Sequence, residues 1–347
     1  MTCIRSVGTA RPEHCYSKEE VSAAAERWLE ESEQAKALFG RFLRSSHAES
    51  RTYALTLAEI LGLNGAQGRA ELYAERATPL AEQALRNALA GAQVQPEKIT
   101  NLVFTSCSVP LLPSIDALVV QRAGLSESVH RVPIYQQGCA GGVIGLNLAE
   151  RLIRPGGAVA LVCVELCSLV FHLSDASPAQ LVGSAIFADG AAGAIIGPED
   201  RGLVFAGTHS CLIPETRHLL GYDIYDDGTH LRLHHELPQA VAEHTPRVVE
   251  TFLRGKGLSV RDIAWWLFHP GGVKICDMLE QSLKLRPEQA YWAREILYRN
   301  GNLSSATILF VLEEFEKSNV VCNGDYVIMA GIGPGLTIEL ILFQFRK

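Results

Sequence analysis

The chain has 347 residues, of which 48% are hydrophobic and 20% are charged, and its formal net charge is −7. A chain of this size can bury about three-quarters of its unfolded surface, so this composition excludes a disordered protein. The negative charge argues against a nucleic-acid partner for the protein as a whole. Nine cysteines without CxxC spacing argue against a disulfide framework and predict a reducing, cytoplasmic environment. The apolar runs are too short to span a bilayer, so no membrane association is expected.

After a mostly helical start, the predicted elements alternate between strands and helices. Residues 1–95 are predicted to be mainly helical, with helices over 19–38 and 78–90. Further along, continuous apolar runs predict strands, and apolar residues at helical spacing predict helices. The predicted strands are 101–107, 132–135, 158–164, 204–210, 264–268, 326–330 and 336–345, and the predicted helices are 138–152, 236–252, 273–283 and 304–315. This alternation predicts an α/β fold.

A short internal echo indicates two related halves. GGVIGLNLAE at 141–150 and GGVKICDMLE at 271–280 share GGV and a later glutamate, and each follows an apolar strand through a glycine-rich turn. Chance is the alternative explanation for ten residues with few identities. Together with the alternating elements, the echo predicts two units, residues 1–200 and 201–347, in one compact body.

Cys139 is a candidate nucleophile. It lies at a strand-to-helix turn, between Gly138 and the small residues 140–142. Small residues allow a substrate to approach the backbone closely. Free N–H groups and the dipole at a helix start favour a thiolate. The alternative is a small buried cysteine that only packs.

Two other polar residues also lie beside glycines. His269 ends a predicted strand and enters Pro270-Gly271-Gly272, in the region where α/β sheets bind ligands. A satisfied core histidine is the alternative. Asn302 lies in the segment GNLSSA at 301–306, where an ordinary helix cap is the alternative.

The glycine-rich segment 331–335, GIGPG, joins two apolar strands. It is either a simple turn or a close wall of an acyl pocket. Its spacing is not GxGxxG, so a nicotinamide cofactor is not indicated.

Cysteine, histidine and asparagine make chemical sense as a set. A thiolate accepts an acyl group from a thioester. Loss of CO2 from a malonyl thioester leaves an enolate, whose oxygen the histidine and the asparagine amide can stabilise. This chemistry requires no cofactor and no metal.

With these motifs, the sequence resembles the chalcone synthase family, the type III polyketide synthases of the thiolase fold. Glu165 and the segment 186–192 support the resemblance. It is carried by Gly138-Cys139-Ala140-Gly141-Gly142, His269-Pro270-Gly271-Gly272, Gly301-Asn302-Leu303-Ser304-Ser305-Ala306 and Gly331-Ile332-Gly333-Pro334-Gly335-Leu336-Thr337. It implies a layered αβαβα thiolase-like body. It also implies an acyltransferase that condenses malonyl-CoA with an acyl-CoA starter and cyclises the product to a pyrone or a resorcinol.

The resemblance implies a role for each catalytic residue. Cys139 would be acylated by the starter. His269 would hold the thiolate as an ion pair, which predicts a depressed pKa for Cys139, and with Asn302 it would orient malonyl-CoA. Phe187 matches an aromatic gatekeeper of the family, and Leu231 falls where a second gatekeeper, usually phenylalanine, is expected.

The resemblance also implies a substrate pocket. Plant members that form chalcones favour threonine at three of its positions, Cys107, Cys167 and Val170. Their replacement makes the wall more apolar and suits an aliphatic starter, although neutral packing changes are the alternative. The segment ELCS at 165–168 looks like bacterial enzymes that make alkylpyrones and alkylresorcinols. The implied pocket residues are Cys107, Leu112, Glu165, Cys167, Val170, Phe187, Tyr222, Leu231, Ser304 and Ile332.

Coenzyme A and a second subunit are the partners that the resemblance implies. The segment FGRFLRSSHAESR at 39–51 matches the region that supplies basic CoA contacts, and it also contains Arg51. The implied CoA contacts are Arg41, Arg44, Gly271 and Lys274. Solvated surface arginines are the alternative. Leu112 would enter the cavity of a neighbouring subunit, which implies a homodimer.

Three other functions compete with this interpretation. A ketoacyl synthase III-like enzyme of fatty acid synthesis shares the fold and the three residues but performs one condensation. A cysteine hydrolase would not need the segment 301–306. A non-catalytic acyl-binding protein would need none of the three residues.

Overall fold

A computed structural model of the protein describes residues 1–63, 65–226 and 228–347. Its strands, in chain order, are β1 Cys3–Ala10, β2 His14–Ser17, β3 Ser50–Tyr53, β4 Ile99–Thr105, β5 His130–Ile134, β6 Ala158–Leu166, β7 Asp189–Gly197, β8 Gly202–Leu212, β9 Leu220–Tyr225, β10 Gly228–Leu233, β11 Ile263–Phe268, β12 Tyr326–Gly333 and β13 Thr337–Arg346. Its α-helices are α1 Lys18–Trp28, α2 Glu33–Ser45, α3 Leu57–Leu61, α4 Ala66–Ala92, α5 Asp116–Ala123, α6 Gly141–Leu152, α7 Pro178–Ile186, α8 Leu237–Arg254, α9 Val273–Leu283, α10 Tyr291–Asn300 and α11 Thr307–Ser318.

Nine strands form one mixed sheet in the described part of the chain, in the order β11-β12-β13-β8-β1-β7-β6-β4-β5. The two halves of this sheet have the same pattern of strand directions. In the N-terminal half, β1 pairs antiparallel with β7, β7 pairs antiparallel with β6, and β6 and β4 are parallel. In the C-terminal half, β8 pairs antiparallel with β13, β13 pairs antiparallel with β12, and β12 and β11 are parallel. The halves join at two residue pairs, Cys3 with Val204 and Ile4 with Leu203. The predicted pair of related α/β halves is therefore present.

The helices form layers around this sheet. Helices α6 and α11 each contact strands of both half-sheets, whereas α4 packs against β1, β6 and β7. Along β11 the side chains alternate, because Leu267 belongs to the central core while Trp266 and Phe268 pack with α8 and α9. The predicted αβαβα layering follows, with α6 and α11 in the middle. Among the described residues, no helix has the length and apolar character needed to cross a membrane.

The first 95 residues differ most from the prediction. The predicted helix over 19–38 is two helices, α1 and α2. Strand β1 was not predicted, although it lies at the centre of the sheet between β7 and β8. The predicted helix start at residue 78 is wrong, because Pro79 lies inside the 27-residue helix α4. Packing of α4 along three strands outweighs the local cost of an internal proline.

The internal echo joins elements that are not equivalent. Helix α6, with the first copy, lies in the central layer, whereas α9, with the second, packs against α8 on the outside. The counterpart of α6 is α11, since each follows a one-turn 3-10 segment, Gly138–Ala140 or Ser304–Ala306, and lies between the half-sheets. The halves are related, but the ten-residue match is a coincidence.

Candidate active site

Cys139 lies in the 3-10 turn Gly138–Ala140, directly before α6. Gly138 has a φ of 50°, and a Cβ at this position would lie 2.8 Å from Cδ of Pro334. A Cβ on Gly142 would lie 2.4 Å from the carbonyl oxygen of Ser305. The glycines around Cys139 therefore allow two segments of the C-terminal half to pack directly against the cysteine turn.

Ser304 and Asn302 reach the cysteine from the C-terminal half. The Sγ atom of Cys139 lies 3.9 Å from Oγ of Ser304. The Oδ1 atom of Asn302 accepts hydrogen bonds from the Ser304 backbone N–H at 2.8 Å and from the Thr307 hydroxyl at 3.3 Å. Its Nδ2 donates to the carbonyl oxygen of Gly271 at 3.3 Å. The Asn302 amide thus links the cysteine turn to the loop that follows His269.

His269 follows β11 and is buried. Its backbone N–H donates to the carbonyl oxygen of Ala330 at 2.9 Å, and its own carbonyl accepts from the Gly271 N–H at 3.0 Å. Within the described residues, neither ring nitrogen has a hydrogen-bond partner. A buried polar atom without a partner costs roughly 1–3 kcal/mol. Such a cost is typical of a group that is kept available for a ligand.

Burial determines the protonation of both groups. It raises the pKa of Cys139 to about 12, against hydrogen bonds from Ser304 and Asn302 that lower it, while the nearby charge of Glu165 raises it further. Burial lowers the pKa of His269 to about 3. Near pH 7 the pair is therefore a neutral thiol and a neutral imidazole. The depressed thiol pKa expected from the sequence is wrong for this geometry, because desolvation outweighs the hydrogen bonds.

Glu165 lies behind the cavity wall, at the end of β6, and is fully buried. Its Oε2 accepts from the Cys107 backbone N–H at 3.0 Å and from the Ser108 hydroxyl at 2.6 Å, and its Oε1 accepts from the Ser305 hydroxyl at 2.5 Å. Burial raises its pKa, and these hydrogen bonds lower it. The prediction that Glu165 lines the pocket is wrong. Its carboxyl group instead ties β4 and β6 to the turn before α11.

A cavity of about 890 Å³ opens beside Cys139, a volume typical of ligand sites. The Sγ atom of Cys107 lies 3.3 Å from Oγ of Ser304 and 4.0 Å from the hydroxyl of Tyr222. Ile332 is buried in β12 and, contrary to the prediction, does not line the cavity. The predicted pocket residues on its wall are Cys107, Cys167, Val170, Phe187, Tyr222, Leu231 and Ser304.

The two predicted gatekeepers, Phe187 and Leu231, both lie close to Gly183 in α7. A Cβ at Gly183 would lie 2.6 Å from Cδ2 of Leu231 and 3.5 Å from Cδ2 of Phe187. Leu231 belongs to the hairpin of β9 and β10, where it pairs with Tyr222. The hairpin therefore lays Leu231 and Tyr222 along the wall of the cavity.

The predicted CoA contacts and Leu112 lie outside this cavity. Arg41 and Arg44 are exposed on α2, and Lys274 is exposed at the start of α9. Leu112 is fully exposed on the loop after β4. Gly271 is half-buried and receives the Asn302 amide.

Arg51 is buried, unlike the arginines that precede it, and it is not available to a phosphate. Its Nε donates to the carbonyl oxygen of Ala185 at 3.0 Å, and its Nη2 donates to the Ser46 hydroxyl at 3.1 Å. Burial lowers its pKa. Its guanidinium instead joins β3 to the end of α7.

Sequence reasoning missed the hairpin of β9 and β10 as an element. Apolar residues alternate at 220, 222 and 224 and again at 231 and 233, which is the period expected of strands. The hairpin also brings Arg232 to the cavity wall. Within the described ranges, no cluster of His, Cys, Asp and Glu side chains is arranged to hold a metal ion.

Comparisons with known proteins identify the class. The family model described as "Chalcone and stilbene synthases, N-terminal domain" matches residues 1–200, and the corresponding C-terminal model matches residues 203–345. A 1,3,6,8-tetrahydroxynaphthalene synthase of Streptomyces peucetius subsp. caesius is 33% identical, and the match covers 99% of this chain and 93% of that protein. A putative chalcone synthase of Bacillus subtilis (strain 168) is 28% identical over the full length of both chains.

Solved structures agree with these matches. The 1,3,6,8-tetrahydroxynaphthalene synthase of Streptomyces coelicolor A3(2), described as a bacterial type III polyketide synthase, superposes with a TM-score of 0.94 at 26% identity over 99% of each chain. PKS-I of the brown alga Ectocarpus siliculosus superposes with a TM-score of 0.91 at 26% identity, covering 99% of this chain and 98% of that chain.

The fold and these comparisons define a thiolase-like α/β condensing enzyme, an acyltransferase. The chain belongs to the chalcone and stilbene synthase family and is a type III polyketide synthase, which condenses CoA thioesters iteratively. The family resemblance is confirmed at this level. The single-condensation, hydrolase and non-catalytic alternatives are set aside.

Proposed function

We propose that this enzyme loads an aliphatic acyl-CoA starter on Cys139, extends it with malonyl-CoA, and cyclises the chain to a pyrone or a resorcinol. The observation that carries the proposal is the character of the wall around Cys139. Cys107, Cys167 and Val170 line the cavity there, and none of them bears a hydroxyl group. An alkyl chain has no polar group that would need a partner at these three positions.

In this proposal, acylation couples proton transfer to attack by the thiol. The thiol of Cys139 forms a bond to the carbonyl carbon of the starter, and its proton passes to His269. The bond between that carbon and the CoA sulfur breaks, and CoA leaves as a thiol after taking the proton. Support comes from the ring nitrogens of His269, which have no hydrogen-bond partner among the described residues, so that one of them is free to accept this proton.

Extension uses Asn302 and His269 as hydrogen-bond donors. The bond between the malonyl carboxylate and its α-carbon breaks, CO2 leaves, and the electron pair becomes an enolate. Asn302 Nδ2 and a ring N–H of His269 donate to the enolate oxygen. The enolate carbon attacks the acyl thioester, so that the longer chain leaves on CoA and Cys139 regains its sulfur electron pair.

The proposed enzyme is a homodimer. Its support is apolar exposure, since Leu112 is fully exposed and Leu212 and Ile224 at the cavity rim are 67% and 86% exposed. Leu112 of one subunit covers that rim in the other. Arg41, Arg44 and Lys274 bind the CoA phosphates at the surface.

A second product class is favoured by the relative that is 33% identical, a 1,3,6,8-tetrahydroxynaphthalene synthase. A naphthalene with four hydroxyl groups carries no alkyl chain, so its synthesis needs no aliphatic starter. In that case the apolar wall of this cavity would contact a folded polyketide rather than an acyl tail.

Mass spectrometry of the products formed from malonyl-CoA, with and without a series of acyl-CoA starters of increasing length, tests the proposal. We expect alkylpyrones or alkylresorcinols that retain the starter carbons. Tetrahydroxynaphthalene formed equally well with and without starters would favour the second class and overturn the aliphatic starter. Light scattering at several protein concentrations tests the dimer, and Leu112→Asp should favour the monomer.

A further inference from the structure

The guanidinium of Arg232 is a positive charge on a cavity wall whose other residues are mostly apolar or neutral. It follows Leu231 in β10 and lies on the cavity wall, whereas Arg217 and Glu215 belong to the exposed rim. The roles proposed above for Cys139, His269 and Asn302 do not use this guanidinium.

The guanidinium of Arg232 is held in place by its neighbours in β9. Its Nη1 donates to Oδ1 of Asp223 at 2.8 Å. Gly221 pairs with Arg232 across the hairpin, and a Cβ on Gly221 would lie 2.9 Å from Nη2. Gly221 is itself on the cavity wall, so the absence of a side chain there lets the guanidinium lie against that wall.

Asp223 satisfies only part of this guanidinium. An arginine side chain has five N–H donors in a planar fork. Nε of Arg232 is buried and has no hydrogen-bond partner in the part of the chain that the structure describes. A fixed and incompletely satisfied fork is suited to a ligand with two oxygens at a regular spacing.

A growing polyketide chain offers such oxygens. It carries a carbonyl oxygen on every second carbon, and the carbon between two carbonyls loses a proton to give an enolate. We infer that Arg232 donates hydrogen bonds to the carbonyl and enolate oxygens of the growing chain, and so holds it on the enzyme for further extension and carbon–carbon ring closure. This inference rests on the proposed function.

Loss of this contact has a defined chemical consequence. Attack of an enol oxygen on the thioester carbonyl closes a pyrone and expels the thiol, and this step needs no cation. Ring closure through carbon needs an enolate, which a fixed cation stabilises. A chain that Arg232 does not hold should therefore leave early, as a triketide pyrone.

The experiment compares Arg232→Met and Arg232→Lys with the wild type, using malonyl-CoA and the starter that the wild type uses best. The readout is the ratio of the longest product to the triketide pyrone. A hydrogen bond to a charged group is worth enough for Arg232→Met to lower this ratio on the order of tenfold. Arg232→Lys should lower it less. Gly221→Ala, which displaces the guanidinium without removing its charge, should lower it in the same direction.

Arg217→Met is the matched control, because it removes a cation from the rim of the same cavity. It should leave the ratio unchanged. An equal fall in both Met variants would make the effect one of general charge and overturn the inference.

Other outcomes separate the alternatives. A raised KM for both CoA substrates with an unchanged product ratio in Arg232→Met would assign Arg232 to CoA phosphates instead. A wild-type enzyme that releases only triketide pyrone would also overturn the inference, since no later chain would need to be held. A wild-type enzyme that forms no condensation product would refute the proposed function itself.

Discussion

The cysteine turn and the turn before α11 have the same backbone but present different chemistry. Each is one 3-10 turn that leads into a central helix, and each begins with a left-handed residue, Gly138 at φ 50° and Ser304 at φ 49°. Cys139 is thus the counterpart of Ser305. The thiol lies at the cavity, whereas the Ser305 hydroxyl is fully buried and donates to Glu165. Two related halves therefore supply the proposed nucleophile in one case and a structural anchor in the other.

Replacement of Cys139 and of Ser305 tests most directly whether the two turns have different roles. Cys139→Ala should lower condensation by at least about 10³-fold, because no acyl enzyme forms, while some malonyl-CoA decarboxylation persists. Product formation and CO2 release are measured separately.

Ser305→Ala is the matched variant in the other turn. It leaves Oε1 of Glu165 without its donor and should cost roughly 1–3 kcal/mol in urea unfolding, with a smaller loss of activity. If Ser305→Ala abolished condensation at unchanged stability, the anchoring role would be refuted.

Asn302→Ala tests the proposed donor that lies two residues before the second turn. Loss of one donor to a developing oxyanion should lower malonyl-CoA decarboxylation by about 10²–10³-fold. Acylation of Cys139, followed by mass spectrometry of the intact protein, serves as the control and should persist. Normal CO2 release from the variant would contradict the role proposed for Asn302.

The pH dependence of alkylation should distinguish Cys139 from the exposed cysteines. The pKa of Cys139 is raised to about 12, so its thiolate fraction is small near pH 7 and increases as the pH rises. Iodoacetamide should therefore label the exposed Cys15 and Cys322 faster than Cys139 at pH 7, and the rate at Cys139 should still be rising above pH 9. Peptide mass spectrometry gives the three rates. Rapid labelling of Cys139 near pH 6 would instead support a preformed ion pair with His269.

Ser304 gives the smallest expected effect. Ser304→Gly removes the left-handed strain of a side chain, about 1–2 kcal/mol, but adds the backbone entropy of glycine, so the change in stability should be under about 1 kcal/mol. Ser304→Ala keeps the strain. Both variants lose the contact with Cys139 and should lower kcat only several-fold. A much larger fall in Ser304→Ala alone would show that the hydroxyl group takes part in the chemistry.

The sequence predicted elements whose apolar pattern can be read locally. Residues 273–283 have the helical spacing of α9, and residues 158–164 are the continuous apolar run of β6. Strand β1 depends on partners that the local sequence does not reveal, because residues 3–10 contain polar residues and glycine and pair with β7 and β8, about 190 positions away. The echo between 141–150 and 271–280 predicted related halves through elements that are not equivalent.

The candidate site likewise has features that the local sequence predicts and features that depend on distant residues. Glycines beside Cys139, His269 and Asn302 indicated tight turns, and the family motifs assigned their roles. The bond between Ser305 and Glu165 joins residues 140 positions apart, and no local pattern predicts it. The pKa of Cys139 could not be predicted either, since it depends on burial by several distant segments.

The packing of Pro334 against Gly138 has a consequence for biosynthesis. The cysteine turn is completed by residues from the last two strands of the chain and from the segment before α11. During translation, Cys139 therefore emerges long before its surroundings exist. A polypeptide that ends before Pro334 carries this thiol without the segment that packs against Gly138, so the cysteine turn is completed only after residue 334 has been synthesised.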